Sequence, residues 1–149
     1  MFLSSTELVS AAATVLEDHA DLYRTVARLR QLCGELREGR ALATREVVGF
    51  LQDFEEQLIP HFAAEEAEEF FGSLVTDQPR LLRQVERLQA EHDEMAGGME
   101  RLLELAASGS VGPDLALRLE RFLDQFEAHE HAENALMQEF VLLDEGAGG

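Results

Sequence analysis

Apolar residues recur along this chain in alternating steps of three and four. The first stripe reads Leu8, Ala12, Val15, His19, Leu22, Val26, Leu29, Cys33 and Leu36. The second reads Val47, Leu51, Phe54, Leu58, His61 and Glu65, and the third Leu81, Val85, Leu88, His92, Met95, Met99 and Leu102. The fourth reads Leu115, Leu119, Phe122, Phe126, His129, Glu133, Leu136, Phe140 and Leu143. On a helix of 3.6 residues per turn each stripe falls on one face, as in bundles with coiled-coil-like packing. No strand-like alternation competes with it.

Three breaks separate the stripes: Gly34 to Thr44, Gly72 to Pro79, and Ser108 to Pro113. Each carries turn residues. Thr44 is placed to cap the second helix, Asp77 or Gln78 with Pro79 to open the third, and Gly112-Pro113 to open the fourth. Short connections make neighbouring helices antiparallel. The expected fold is therefore all-α, an up-down-up-down antiparallel four-helix bundle. It is expected to form one domain over residues 1–149, with its core at about 8–143 and a flexible tail from Gly146. Pro60 is expected to kink the second helix and to free a carbonyl about one turn earlier. Gly97-Gly98 is expected to mark close packing or local bending in the third.

Composition narrows the partners. The chain has 12 basic and 30 acidic residues, a formal charge of −18. Such a surface repels nucleic acid and anionic membrane, so neither is expected as a partner. Cys33 is the only cysteine, so no intrachain disulfide forms. Met1-Phe2-Leu3-Ser4 shows no basic region followed by an apolar run, and no stretch approaches the roughly 20 apolar residues of a membrane span. The expected location is the cytoplasm.

Four of the five histidines, His19, His61, His92 and His129, lie on the apolar stripes, one to each. A single core histidine is ordinarily a hydrogen-bonded core residue. Four without partners would cost roughly 1–3 kcal/mol each, unless something binds them. Their levels also match. At about 1.5 Å per residue, His19 lies 18 residues from the end of its helix at Arg37, and His61 lies 17 from Thr44. His92 and His129 agree to about one turn. Glu65 and Glu133 follow His61 and His129 by four residues, which stacks each pair on one helix face. Both glutamates take positions where an apolar residue would otherwise sit, and buried glutamate is rare unless paired or bound to metal. Four imidazoles and two carboxylates suit two divalent ions, with iron favoured by mixed nitrogen and oxygen ligation and manganese or zinc as alternatives.

This arrangement resembles the hemerythrin-like family, the HHE cation-binding domain. The matching motifs are Leu16-Glu-Asp-His19, His61-Phe-Ala-Ala-Glu65-Glu66, Glu91-His92 and His129-Glu-His-Ala-Glu133-Asn134, spread over about residues 8–143. The resemblance implies a four-helix bundle holding two iron ions with an oxo or hydroxo bridge. It also implies a small ligand, dioxygen or nitric oxide or else peroxide, or a role in sensing iron. The oxygen-carrying members have a second histidine on the third helix, four residues from the first; here Leu88 and Ala96 hold the candidate positions. They also use an aspartate on the fourth helix, where this chain offers Glu133. The departure favours a sensing or reactive centre over dioxygen carriage.

The remaining polar residues are expected to play lesser parts. His131, two residues from His129, points away around the helix. Glu66, Glu68 and Glu69 read as solvated, with Glu69 the best placed of the three to be otherwise, and Tyr23, four residues after His19, as packing, with a hydrogen bond near the site as the alternative. No Glu-x-x-His pair of the ferritin-like carboxylate proteins occurs. His129-Glu-His-Ala-Glu lacks the final histidine of the zinc-protease motif. Two functional classes stay open: a metal-binding, gas- or iron-responsive domain without turnover, and an enzyme with peroxidase, catalase-like, nitric-oxide or iron-sulfur-repair chemistry.

Overall fold

The computed structural model describes residues 4–66 and 71–147. Side chains at several positions near both ends, among them Leu8, Ala12, Val15, Phe140 and Leu143 of the expected stripes, lie outside that description. The elements are α1 (Ser5–Arg37), α2 (Thr44–Glu66), α3 (Ser73–Asp77), a 3-10 turn (Pro79–Leu81), α4 (Leu82–Ala107) and α5 (Pro113–Ala147). No strand occurs among the described residues.

Local chemistry sets the helix ends. Ser4 and Glu7 form a reciprocal capping box that satisfies two orphan N–H groups at the start of α1: Glu7 N–H donates to Ser4 Oγ at 3.2 Å, and Ser4 N–H to Glu7 Oε2 at 2.8 Å. The C-terminal ends of α1 and α4 close alike. Gly39 (φ 80°) and Gly109 (φ 94°) take the left-handed conformation that only glycine adopts freely. Around them the Gly39 and Arg40 amides reach Leu36 O and Glu35 O, and the Gly109 and Ser110 amides reach Ala106 O and Leu105 O. Pro60 lies exposed inside α2, and the helix continues beyond it to Glu66. Likewise α5 runs through Gly146 to Ala147, while Gly148 and Gly149 lie outside the described residues.

α1 packs chiefly on α5, α2 on α4, and α4 on α5, with α1 meeting α2 more lightly. Arg30 pairs with Asp124 and Glu127 of α5, whereas Arg37, further along α1, pairs with the earlier Glu120. The order is likewise reversed between α4 and α5, where Glu91 meets His129 and Glu94 meets Gln125.

The stripes form the core. Leu29, Val47, Leu51, Phe54, Leu58, Met95, Met99, Leu119 and Phe126 are at most 1 % exposed. Phe54 stands edge-on to Phe122 and Phe126, with centroids 6.1 and 5.5 Å away, an arrangement worth about 0.5–1.5 kcal/mol per pair beyond burial.

The break expected at Gly72 to Pro79 is more than a turn, so the described residues form five α-helices where four were expected. The reason is burial. Phe71 and Leu74 are apolar and buried, and a short helix carries Leu74 with its backbone satisfied. Thr76 Oγ1 donates to Gly72 O at 2.8 Å, and Gln78 N–H to Leu74 O at 2.8 Å. Pro79 has no N–H to continue the helix, and the chain restarts as a 3-10 turn.

Candidate metal centre

His19, His61, His92 and His129 come from α1, α2, α4 and α5, and their side chains converge at one level of the bundle. His61 is 7 % exposed and the other three 1–2 %. The rings form two edge-on pairs, His19 with His61 and His92 with His129, each with centroids 4.8 Å apart. Glu65 and Glu133, both fully buried, lie between the pairs. Glu65 carboxylate oxygens stand 3.7 Å from His19 Nε2, 3.1 Å from His61 Nε2 and 3.4 Å from His92 Nε2. Those of Glu133 stand 4.0 Å from His19 Nε2 and 3.8 Å from His92 Nε2, and one of them meets His129 Nε2. The structure thus brings all six residues singled out from the sequence into one cluster.

The outer ring nitrogens explain the orientation. An oxygen faces every Nδ1: Asn134 Oδ1 at 2.5 Å from His19, Glu91 Oε1 at 2.6 Å from His129, Glu66 Oε2 at 3.6 Å from His92, and Asp18 Oδ2 at 3.7 Å from His61. Carboxylates only accept, so a proton on His129 Nδ1 is donated to Glu91, and in that tautomer the Nε2 lone pair points inward, as a cation would require. Asn134 does the same for His19 and in turn donates Nδ2–H to the Tyr23 hydroxyl at 3.4 Å. Tyr23 is therefore linked to the site through Asn134, although it is 37 % exposed. Such outer partners fix the tautomer and direction of a metal-binding imidazole.

Two phenylalanines close the cluster. Phe62 stacks on His92 at 4.0 Å with planes 12° apart, and turns its edge to His129 at 5.8 Å. Phe71, brought in just before α3, lies 6.1 Å from His92. The inward nitrogens of all four histidines and all four carboxylate oxygens of Glu65 and Glu133 have no hydrogen-bond partner. Leaving a buried polar group unpaired costs about 1–3 kcal/mol, so eight together need a ligand that collects them. A cation does this. His19, His61, Glu65 and Glu133 offer one set of ligand atoms lying within 4.8 Å of one another, and His92, His129 and Glu133 offer a second. The residues present fit a cluster of one or two cations with Glu133 shared.

The electrostatics agree. Burial opposes charge on Glu65, but His19, His61 and His92 around it hold its carboxyl well below the usual carboxylate range. Burial also opposes charge on His19, and the opposing pull of Glu65, Asn134 and Glu130 raises its pKa overall. Burial keeps His129 below its ordinary value despite the Glu91 hydrogen bond.

Other expectations resolve plainly. His131 is exposed on the far side of α5. Glu66 is exposed but turns toward His92, so it is more than a solvated charge. Glu68 and Glu69 lie outside the described residues. Leu88 is buried and Ala96 half-buried at the two positions compared with the oxygen carriers.

Two residues near the site escaped the sequence reading. Phe62 was only the filler of a motif. Glu130 is fully buried with both oxygens unpartnered, and burial pushes its carboxyl up to about 7. A signal for it existed: Ala116, Leu123, Glu130 and Met137 recur every seven residues, and all are buried. This second stripe of α5 faces α1, where Glu130 feels His19, His61 and Tyr23.

Residues 10–141 match the sequence model of the hemerythrin HHE cation-binding domain. Searches of curated proteins and of solved structures find no match. No helix among the described residues is long and apolar enough to cross a membrane.

Proposed function

Because the chain belongs to the hemerythrin HHE cation-binding family, we propose that its cluster holds two iron ions and uses them to bind or sense a small ligand such as dioxygen or nitric oxide. His19 and His61 would serve one ion, His92 and His129 the other, with Glu65 and Glu133 between them. The observation that carries the reading is the convergence of eight unpartnered, buried nitrogen and oxygen atoms from four helices. Mixed imidazole and carboxylate donors suit ferrous and ferric iron, with manganese and zinc as weaker fits. When bound, an iron pair supplies redox-active coordination for a diatomic ligand or peroxide.

The chain's own residues do the rest. Asn134 and Glu91, by direct hydrogen bonds, and Asp18 and Glu66, by nearby charge, keep the four inner nitrogens turned inward. Glu65 stays anionic and supplies counter-charge. Phe62 and Phe71 keep bulk water away from the His92 side. Neither Leu88 nor Ala96 offers a donor at the two candidate positions for the oxygen carriers' second histidine, which favours a sensing or reactive centre over reversible carriage. The reading includes a single domain over 1–149 whose four long helices run up-down-up-down, supported by the reversed pairings along α1 and α5 and along α4 and α5.

Metal analysis after anaerobic ferrous loading tests the proposal. Two irons per chain, with ferric charge-transfer bands appearing in air, are expected. A loaded and desalted chain that retains no metal would refute it. Stopped-flow mixing of the reduced form with dioxygen, nitric oxide or peroxide then separates binding from turnover.

A further inference from the structure

Described residues cover the cluster on two sides. Phe62 and Phe71 cover it beside His92, and the hydrophobic core fills the bundle toward Leu36 and Ala106. One side is different. A cleft of about 570 Å³ opens between α1 and α2, the most lightly packed adjacent pair of long helices, and its lining includes His61. None of the other three histidines lines it. Both ring nitrogens of His61 are buried and without hydrogen-bond partners, although the residue is the most exposed of the four.

The walls of the cleft mix apolar surface with polar and charged side chains, the basic Arg24 and Arg28 among them. Asp21 is engaged by Arg24, and Thr25 donates to Gln57 Oε1 at 2.7 Å across the two helices. Among the described residues Asp18 makes no hydrogen bond and meets no arginine. Its side chain is 52 % exposed, yet one oxygen stands 3.7 Å from His61 Nδ1, too far for a hydrogen bond. It therefore presents a carboxylate to solvent and to the first imidazole of the cluster at once. A hydrated cation approaching a protein of charge −18 gains from such a group, whereas an apolar gas gains nothing from it.

We propose that the α1/α2 cleft is the access route by which a hydrated divalent cation reaches the centre, with Asp18 the first carboxylate it meets and His61 the ring that passes it inward. The inference rests on the metal-binding reading above and adds to it a direction and a residue. A route sets rates and leaves equilibrium alone, so blocking it slows uptake and release by the same factor.

The full-length metal-free chain is mixed with Co²⁺, whose visible bands report binding, and the loaded chain is then stripped with a chelator. Ala64→Trp and Gln57→Trp fill the cleft. Asp18→Asn removes the carboxylate. Gln125→Trp, in the separate cleft between α4 and α5 beside Gly98 and Phe122, is the control. In the cleft-filling variants, uptake and release both slow roughly tenfold or more with stoichiometry and affinity unchanged. In Asp18→Asn, uptake slows at low ionic strength, and the difference fades with added salt. The control keeps wild-type rates. Wild-type rates in all three cleft variants would overturn the route, as would an equal slowing in the control. If a tryptophan variant does not fold, as judged by circular dichroism, Ala64→Leu and Gln57→Leu, which fill less of the same cleft, decide in its place. A wild-type chain that takes up no cation refutes the functional reading and the route with it; one that binds two ions at rates indifferent to the cleft refutes only the route.

Discussion

Replacing Glu130 with glutamine isolates the energetic cost of a buried acid in the metal-free protein. The ordinary pKa of this carboxyl is 4.5, and burial raises it to about 7 in the folded chain. Below 4.5 the group is neutral in both folded and unfolded chains and its charge costs folding nothing. Between 4.5 and about 7 the unfolded chain ionises it while the folded chain retains the proton. Stability therefore falls as pH rises through that window, and the loss is complete above it. The rise in pKa corresponds to about 3 kcal/mol. A glutamine side chain does not titrate, so Glu130→Gln removes this penalty. The buried amide adds its own cost of about 1–3 kcal/mol where its hydrogen bonds are not met, but that cost does not vary with pH. The informative quantity is the change in relative stability between two pH values. Urea unfolding of both chains after chelator dialysis, followed by circular dichroism, supplies it. Relative to wild type, the variant gains about 3 kcal/mol between roughly pH 4.5 and pH 8. A stability difference that stays flat across this range would refute the assignment of Glu130 as a buried, proton-retaining acid.

The other predictions concern the cluster and the scaffold. His61→Ala and Glu65→Ala each lose most bound metal by elemental analysis, while His131→Ala, on the exposed face, retains it; equal loss in all three would sink the ligand assignment. Glu91→Ala leaves His129 Nδ1 without its 2.6 Å acceptor and weakens metal binding roughly 10- to 100-fold in a chelator competition. Gly97→Ala stabilises α4 by about 0.8–1 kcal/mol in urea unfolding, because the new methyl group meets only the flexible end of Arg101 at 3.4 Å. Gly98→Ala gains less, since its methyl group would lie 3.3 Å from the buried Phe122 ring. Burial pushes the Cys33 thiol up to about 11, so it resists a thiol reagent at neutral pH in the folded chain and reacts once per chain in urea.

The long helices were legible because their signal is periodic and long. The described residues of the stripes from Leu22 to Leu36 and from Val47 to Glu65 are all buried. The six cluster residues were legible for a related reason, as polar groups standing in apolar positions at matched levels. Glu130 was missed because it sits on a second stripe, offset by one residue from His129 and hidden behind the first. The short helix at Ser73–Asp77 was missed because five residues carry no periodicity. Its existence depends on a tertiary demand, the burial of Phe71 and Leu74. Glu66 shows a similar limit. Spacing along α2 places it on the surface, and only the approach of α4 turns it toward His92.

The two histidine pairs have a consequence for how the molecule comes together. α1 with α2, and α4 with α5, are each joined by a short connection, so each pair of imidazoles belongs to one half of the chain. Glu133 breaks that symmetry, because the second half lends it to the cation set of the first. Neither half alone holds the full complement of donors. A cation captured by His19, His61 and Glu65 is an incomplete complex until α5 docks and supplies the missing carboxylate. Binding free energy then becomes docking free energy. The centre would act as a clasp between two helical hairpins, and its occupancy would report whether the halves have closed on each other.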